Sequence, residues 1–325
     1  MPISLFVWHR ILKIFQGVIT LDKNLIPCND NDGDNLKITI DYVSNLVFNS
    51  NLKPGEIIED VIIENKKKKI ESPIQIINCT GQNIYFGEFD RAVLTALIRE
   101  QAKGNTFTTA RRIFHILGGG DRLTPAMKKA IMNSVEKFAG VRIILKTETA
   151  VKKGITKEFN GSATWRGYLM PTETLELSVN GQETDVISFL HNATTGDIKK
   201  GVIFQNATLR EQIISCAQDL ADTPINKNVR NIGLTHYFLR RILSIKNSYE
   251  LAQSNKRVIP LRKVITVDDM FENCDIKNCS HDQKARILKT VKTILNFFIQ
   301  RNIIKNYHFE TVKETGKIRS ISIDF

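Results

Sequence analysis

Two groups of side chains in this 325-residue chain have the types and spacing to do chemistry, and they point in different directions. The first is a series of cations, amides and a hydroxyl on helical periods: Lys128, Lys129, Asn133 and Lys137, then Lys284, Arg286, Lys289, Lys292, Thr293 and Asn296. Lysines along a helix face neutralise phosphates, whereas arginine bonds guanine O6 and N7 in pairs and asparagine does the same on an adenine edge. Two basic, glycine-punctuated segments, one with Lys152, Lys153 and Lys157 and one with Lys313, Lys317 and Arg319, suit a phosphate backbone. The second group is catalytic in type. His236-Tyr237 near Arg240 and Arg241 offers a nucleophile and cations for a phosphorane, but an i, i+4 helical pattern already explains these residues as core and surface. Cys274, Cys279 and His281 offer zinc ligands without a close cysteine pair or an evident fourth ligand. No two of the six histidines form a His-hydrophobe-His pair, and Gly118-Gly119-Gly120 lacks the lysine and serine of a phosphate loop. The expectation is a non-enzymatic DNA-binding chain that needs no cofactor and no metal.

The elements that must position the first group begin with the stretch Asp90 to Leu145. Asp90, Thr108 or Thr109, and Thr124 stand where three helices should start, each able to accept a bond from a free N–H group, with Pro125 at a first helical position. Gly104 and the run Gly118-Gly119-Gly120 close two of these helices. The third helix gathers Met127, Ile131, Val135 and Phe138 on one stripe and leaves Lys128, Lys129, Asn133 and Lys137 outside. Val141–Thr147 then reads as a first wing strand, with the Lys152-Lys153-Gly154-Ile155-Thr156-Lys157 loop at its tip. Trp165, Arg166 and Tyr168 read as a packed strand, and Thr174–Val179, Asn180-Gly181 and Glu183–Leu190 as a tight hairpin.

After a bridging strand and helix between Val202 and Pro224, the order repeats at an offset of about 157 residues, so that Met270 and Phe271 match Ile113 and Phe114. Val229–Lys246 is the first helix of the repeat, and Thr266 caps the second. His281–Arg301 is the third, with Ile287, Leu288, Val291, Leu295 and Phe298 inward and Lys284, Arg286, Lys289, Lys292, Thr293 and Asn296 outward. Its wing runs Tyr307–Val312, a turn at Lys313 to Lys317, and Ile318–Asp324.

Composition agrees with a polyanionic partner. Lysine and arginine outnumber aspartate and glutamate 46 to 34, a formal charge of +12, and 42% apolar content is ample for two or three cores. Five scattered cysteines make a disulfide framework unexpected and a reducing, cytoplasmic setting the natural one. The apolar run Ile3 to Leu21 is broken by Arg10 and Lys13 and is too short to span a membrane; it reads as a docking or partner-binding arm. Asn29 to Asp34 looks like a calcium loop, but Cys28 and Thr39 fall where two carboxylate ligands belong, so a solvated turn is expected. Lys37–Tyr42, Glu56–Glu64 and Pro73–Asn78 read as strands, and the lysine run from Asn65 to Lys69 as a charged hairpin tip or linker.

Taken together, the Phe89 to Leu94 entry, the Phe107-Thr108-Thr109 start, the Glu136-Lys137-Phe138 to Ile144 turn and the Tyr237 to Ile242 helix resemble the plasmid replication initiator superfamily of tandem winged-helix, iteron-binding proteins. The resemblance covers roughly Phe86 to Phe325 and leaves the first eighty residues outside. It implies an α+β fold of two winged-helix domains, 81–200 and 201–325, preceded by a β-containing region, 1–80, of unassigned role. It further implies binding of double-stranded DNA at origin repeats, duplex opening, recruitment of host replication proteins and a homodimer that represses its own promoter. Base readout would fall mainly on the outward face of His281–Arg301. A transcriptional regulator or relaxosome accessory protein on the same plan is the alternative, and a DNA-cleaving and joining enzyme using Tyr237 a weaker one.

Overall fold

The computed structural model describes residues 38–39, 51–59, 62–64, 68–70, 74–120, 122–146, 164–179, 182–190, 195–196, 203–204, 207–222, 231–254, 263–274, 276, 280–312 and 316–325. The principal elements are β1 (Ile57–Glu59), β2 (Ile74–Asn78), α1 (Glu88–Ala102), β3 (Phe107–Thr108), α2 (Ala110–Ile116), α3 (Pro125–Ala139), β4 (Val141–Lys146), β5 (Thr164–Tyr168), β6 (Thr172–Val179) and β7 (Gln182–Phe189). There follow α4 (Ala207–Ala221), α5 (Ile232–Ser254), β8 (Val264–Thr266), α6 (Val267–Asn273), α7 (His281–Gln300), β9 (Asn306–Thr311) and β10 (Ile318–Asp324). The fold is α+β. No helix among the described residues is long and apolar enough to cross a membrane.

Local chemistry sets the helix ends. Thr109, Thr124 and Thr266 accept bonds from Arg112, Met127 and Asp269, and Pro125 occupies the first turn of α3. Ser280 and Gln283 close a reciprocal capping box on α7. Asp90 is not the cap of α1: the helix begins at Glu88 behind Gly87, and the Asp90 carboxylate, three residues in, accepts the Gly87 N–H at 2.9 Å. Gly104 and Gly118 end α1 and α2 at φ of 82° and 80°, where any side chain would be strained.

Two apolar cores result. In the N-terminal unit, α1, α2 and α3 pack Val93, Leu97, Ile113, Ile131, Val135 and Phe138 against one another and against Leu52 and Ile76. The strands before residue 80 therefore share the core of the helices that follow them. In the C-terminal unit, Phe238, Ile242, Met270, Val291, Leu295, Phe298, Ile321 and Ile323 form the second core. Helix α4 lies between the two, giving Ile214 to the first and Ile213, Ala217 and Leu220 to the second.

Sheet pairing separates the two units more than the sequence does. The C-terminal unit runs helix, strand, helix, helix, strand, strand, with antiparallel order β8-β10-β9. The N-terminal unit has the same helices and first strand, but its three-stranded sheet is β6-β7-β3, with Ile187 opposite Thr108 and Phe107 opposite Ser188. The hairpin returning to β3 is thus Thr172–Phe189. Strand β4, expected to be the first wing strand, lies instead in a four-stranded antiparallel sheet, β5-β4-β2-β1. Two strands of this second sheet, β1 and β2, precede α1, and the other two, β4 and β5, are inserted between α3 and the hairpin.

The units are joined by buried polar contacts as well as apolar ones. Glu88 at the start of α1 is almost fully buried and accepts Arg240 of α5 at 2.6 Å, with Arg91 at 3.3 Å. His236 Nε2 lies 3.1 Å from the carbonyl of Leu117, and Arg99 pairs with Glu211 at 3.0 Å. A β-carbon on Gly118 would press into the Ala217 carbonyl, so glycine permits this close approach of α2 to α4.

Candidate nucleic-acid interface

Helix α7 presents the largest set of expected contacts on one element. Val291, Ile294, Leu295, Phe297 and Phe298 are buried, fixing the rotation of the helix and leaving Arg286, Lys289, Lys292 and Asn296 exposed. Thr293 is half-buried and donates its hydroxyl to the Lys289 carbonyl at 3.1 Å, so it adds little to the outer surface. Lys284 does not belong to that outer set. Its spacing to Leu288, Val291 and Leu295 places it on the inward stripe, where it is half-buried with its ammonium 5.5 Å from the centre of the Phe271 ring.

The hairpin packed beside α7 steadies this face. Lys292 sits over Phe309 at 5.4 Å, a contact that holds its stem along β9 while the residue stays exposed. The Tyr307 hydroxyl, whose pKa burial raises above its ordinary value, donates to Asn296 Oδ1 at 3.0 Å. Among the described residues the Asn296 amide keeps both N–H donors and a remaining oxygen lone pair. Lys317 and Arg319 are exposed at the turn and start of β10, beside Gly316 at φ 63°. Lys313 lies outside the described residues.

The corresponding face of α3 is differently disposed. Lys129 and Asn133 are exposed, but Lys128 is held at 2.9 Å by the buried carboxylate of Asp185 on β7, which locks the helix to its hairpin. Lys137 bonds Asp90 at 3.0 Å and the Tyr85 carbonyl at 2.9 Å, while Ser134 donates to the same carboxylate at 2.6 Å. Both cations are therefore structural first. The hairpin carries Glu173 and Glu176 on β6 and Asp185 on β7 rather than lysines. Lys152, Lys153 and Lys157, expected in the loop after the Val141–Thr147 wing strand, follow β4 in the chain and lie outside the described residues.

The catalytic alternatives gain nothing from the geometry. Tyr237 is only 3% exposed, its hydroxyl is shifted upward chiefly by burial, and Arg240 lies over its ring at 5.8 Å. Burial likewise raises the pKa of the Cys274 thiol. Cys279 lies outside the described residues, among which no cluster of three or more metal-ligating side chains occurs.

Sequence reasoning missed the anchors: Tyr307, Phe309 and Asp185 are read as strand residues until the sheet register brings them to α7 and α3. It also missed the exposure of Tyr168 and Arg166, which lie on the outer face of β5.

No family model matches the chain, and no curated protein matches it. Among solved structures, two crystal structures of domains 2 and 3 of RctB align with 85% of this chain and 94% or 95% of theirs, at 11% identity and TM-scores of 0.34 and 0.35. Overlap this loose identifies neither fold family nor function.

Proposed function

We propose that the chain is a sequence-specific double-stranded DNA-binding replication initiator of a plasmid or other mobile element, built from two winged-helix units. The observation that carries the reading is the C-terminal unit: helix, strand, two helices and a hairpin, with a third helix whose outer face carries Arg286, Lys289, Lys292 and Asn296 beside Lys317 and Arg319. That helix lies in the major groove, and the hairpin grips the flanking phosphates. The N-terminal unit repeats the order at an offset of 157 between α2 and α6, with Lys129 and Asn133 as its outward contacts. Recognition of origin repeats, duplex opening, recruitment of host replication proteins, homodimer formation and a cytoplasmic location are parts of this proposal.

Genomic DNA recovered by the purified protein and footprinted tests it. Several equally spaced direct repeats support an initiator. A single palindrome over a promoter favours the regulator or relaxosome reading, and a nicked product or a covalent Tyr237–DNA adduct overturns the non-enzymatic one.

A further inference from the structure

The four-stranded sheet β5-β4-β2-β1 has one face in the core and one partly exposed. On the inner face Ile143 and Ile76 are fully buried across from each other. The outer face is a grid fixed by register. One row crosses all four strands as Tyr168, Arg142, Ile77 and Ile57, and the next as Arg166, Ile144, Gln75 and Glu59. The register continues to Lys146 opposite Thr164. Tyr168 is 44% and Ile57 52% exposed, Arg166 is exposed and Arg142 half-buried. Neither arginine is ion-paired among the described residues, and β4 and β5 contain no acidic residue; Glu59 stands at the far edge.

We propose that this sheet face binds single-stranded DNA, with Tyr168 stacking a base and Arg142 and Arg166 holding the phosphates on either side of it. Positive charge beside an unpaired ring gives the complementarity. A duplex hides its base faces, so an exposed tyrosine on a flat surface has little to gain from it, whereas a single strand offers both a π-face and a backbone. Same-face residues two apart on a strand are about 7 Å from each other, so the two rows meet successive positions along an extended polymer. The site is separate from α7 and deepens the initiator reading: one surface reads the closed duplex and this one keeps a strand that has left it.

The test is fluorescence anisotropy of the full chain with labelled oligodeoxythymidine, with oligouridine and with a DNA duplex. The parent protein is expected to bind the DNA single strand, Tyr168→Ala to bind it roughly tenfold more weakly, and Tyr168→Phe to remain near the parent. Arg166→Ala is expected to weaken single-strand binding and to flatten its salt dependence. Duplex binding by each variant should stay at the parental level, which also shows that each is folded. Absence of single-strand binding by the parent, parental binding by both alanine variants, or an equal loss on duplex overturns the proposal. Tighter binding of oligouridine than of oligodeoxythymidine overturns the assignment to DNA. Duplex binding is read in its own arm, so failure of the initiator reading is distinguishable from failure of this one.

Discussion

At the scale of single residues, the outer face of α7 divides into contacts that should select sequence and contacts that should not. Arg286 and Asn296 carry paired hydrogen-bonding groups and are exposed. Replacing either with alanine should cost about 1–3 kcal/mol on the cognate site and little on random duplex. Tyr307→Phe removes the hydroxyl that orients Asn296, so it should weaken cognate binding while leaving most of the fold's stability. Lys317→Ala should weaken all duplexes alike and reduce the slope of log affinity against log salt by about 1. Titrations of cognate and scrambled duplexes at several salt concentrations separate these behaviours. Which base each residue meets is not legible in the chain, because exposed polar side chains are placed by the DNA rather than by the core.

At the scale of elements, the polar seam between α1 and α5 makes a sharper prediction. Glu88→Gln leaves Arg240 and Arg91 facing a neutral amide in a buried setting, and loss of a buried ion pair costs about 3–5 kcal/mol. Chemical denaturation should show that loss, whereas removal of the exposed Arg301–Asp219 pair should change stability by under about 1 kcal/mol. The elements whose signals are local were legible. Thr109, Thr124 and Thr266 announce helix starts through their own side chains, and Ile131, Val135 and Phe138 announce a buried stripe through spacing. Asp90 was misplaced by three positions because Gly87 has no side chain with which to mark a cap. The wing was misassigned because β4 follows α3 directly, whereas the strand that pairs with β3 arrives some forty residues later, after two strands that join a sheet begun before α1. Pairing at that distance is set by tertiary contacts that no local pattern records. Lys284 fell on the wrong face because a lysine in an apolar register is read as solvated unless its ring partner, Phe271, is known.

At the scale of the whole molecule, His236 ties the two units together. Burial lowers its pKa from the ordinary 6.5, opposed by the Leu117 carbonyl and the Glu88 charge, so the neutral ring is the folded form. An unfolded chain takes up the proton first. The stabilisation is therefore complete above about pH 6.5 and is lost as pH falls from there toward the folded value. Melting curves between neutral and mildly acidic pH should show it, and His236→Gln should flatten that dependence.

The central claim is that the outer face of α7 lies in the major groove of a repeated site, and methylation interference at guanine N7 on the recovered site tests it most directly. Interference at the same guanine in each repeat, lost for Arg286→Ala, is the predicted result. Interference confined to phosphates, or a guanine pattern unchanged by substitution of Arg286, Lys289 and Asn296, would contradict it.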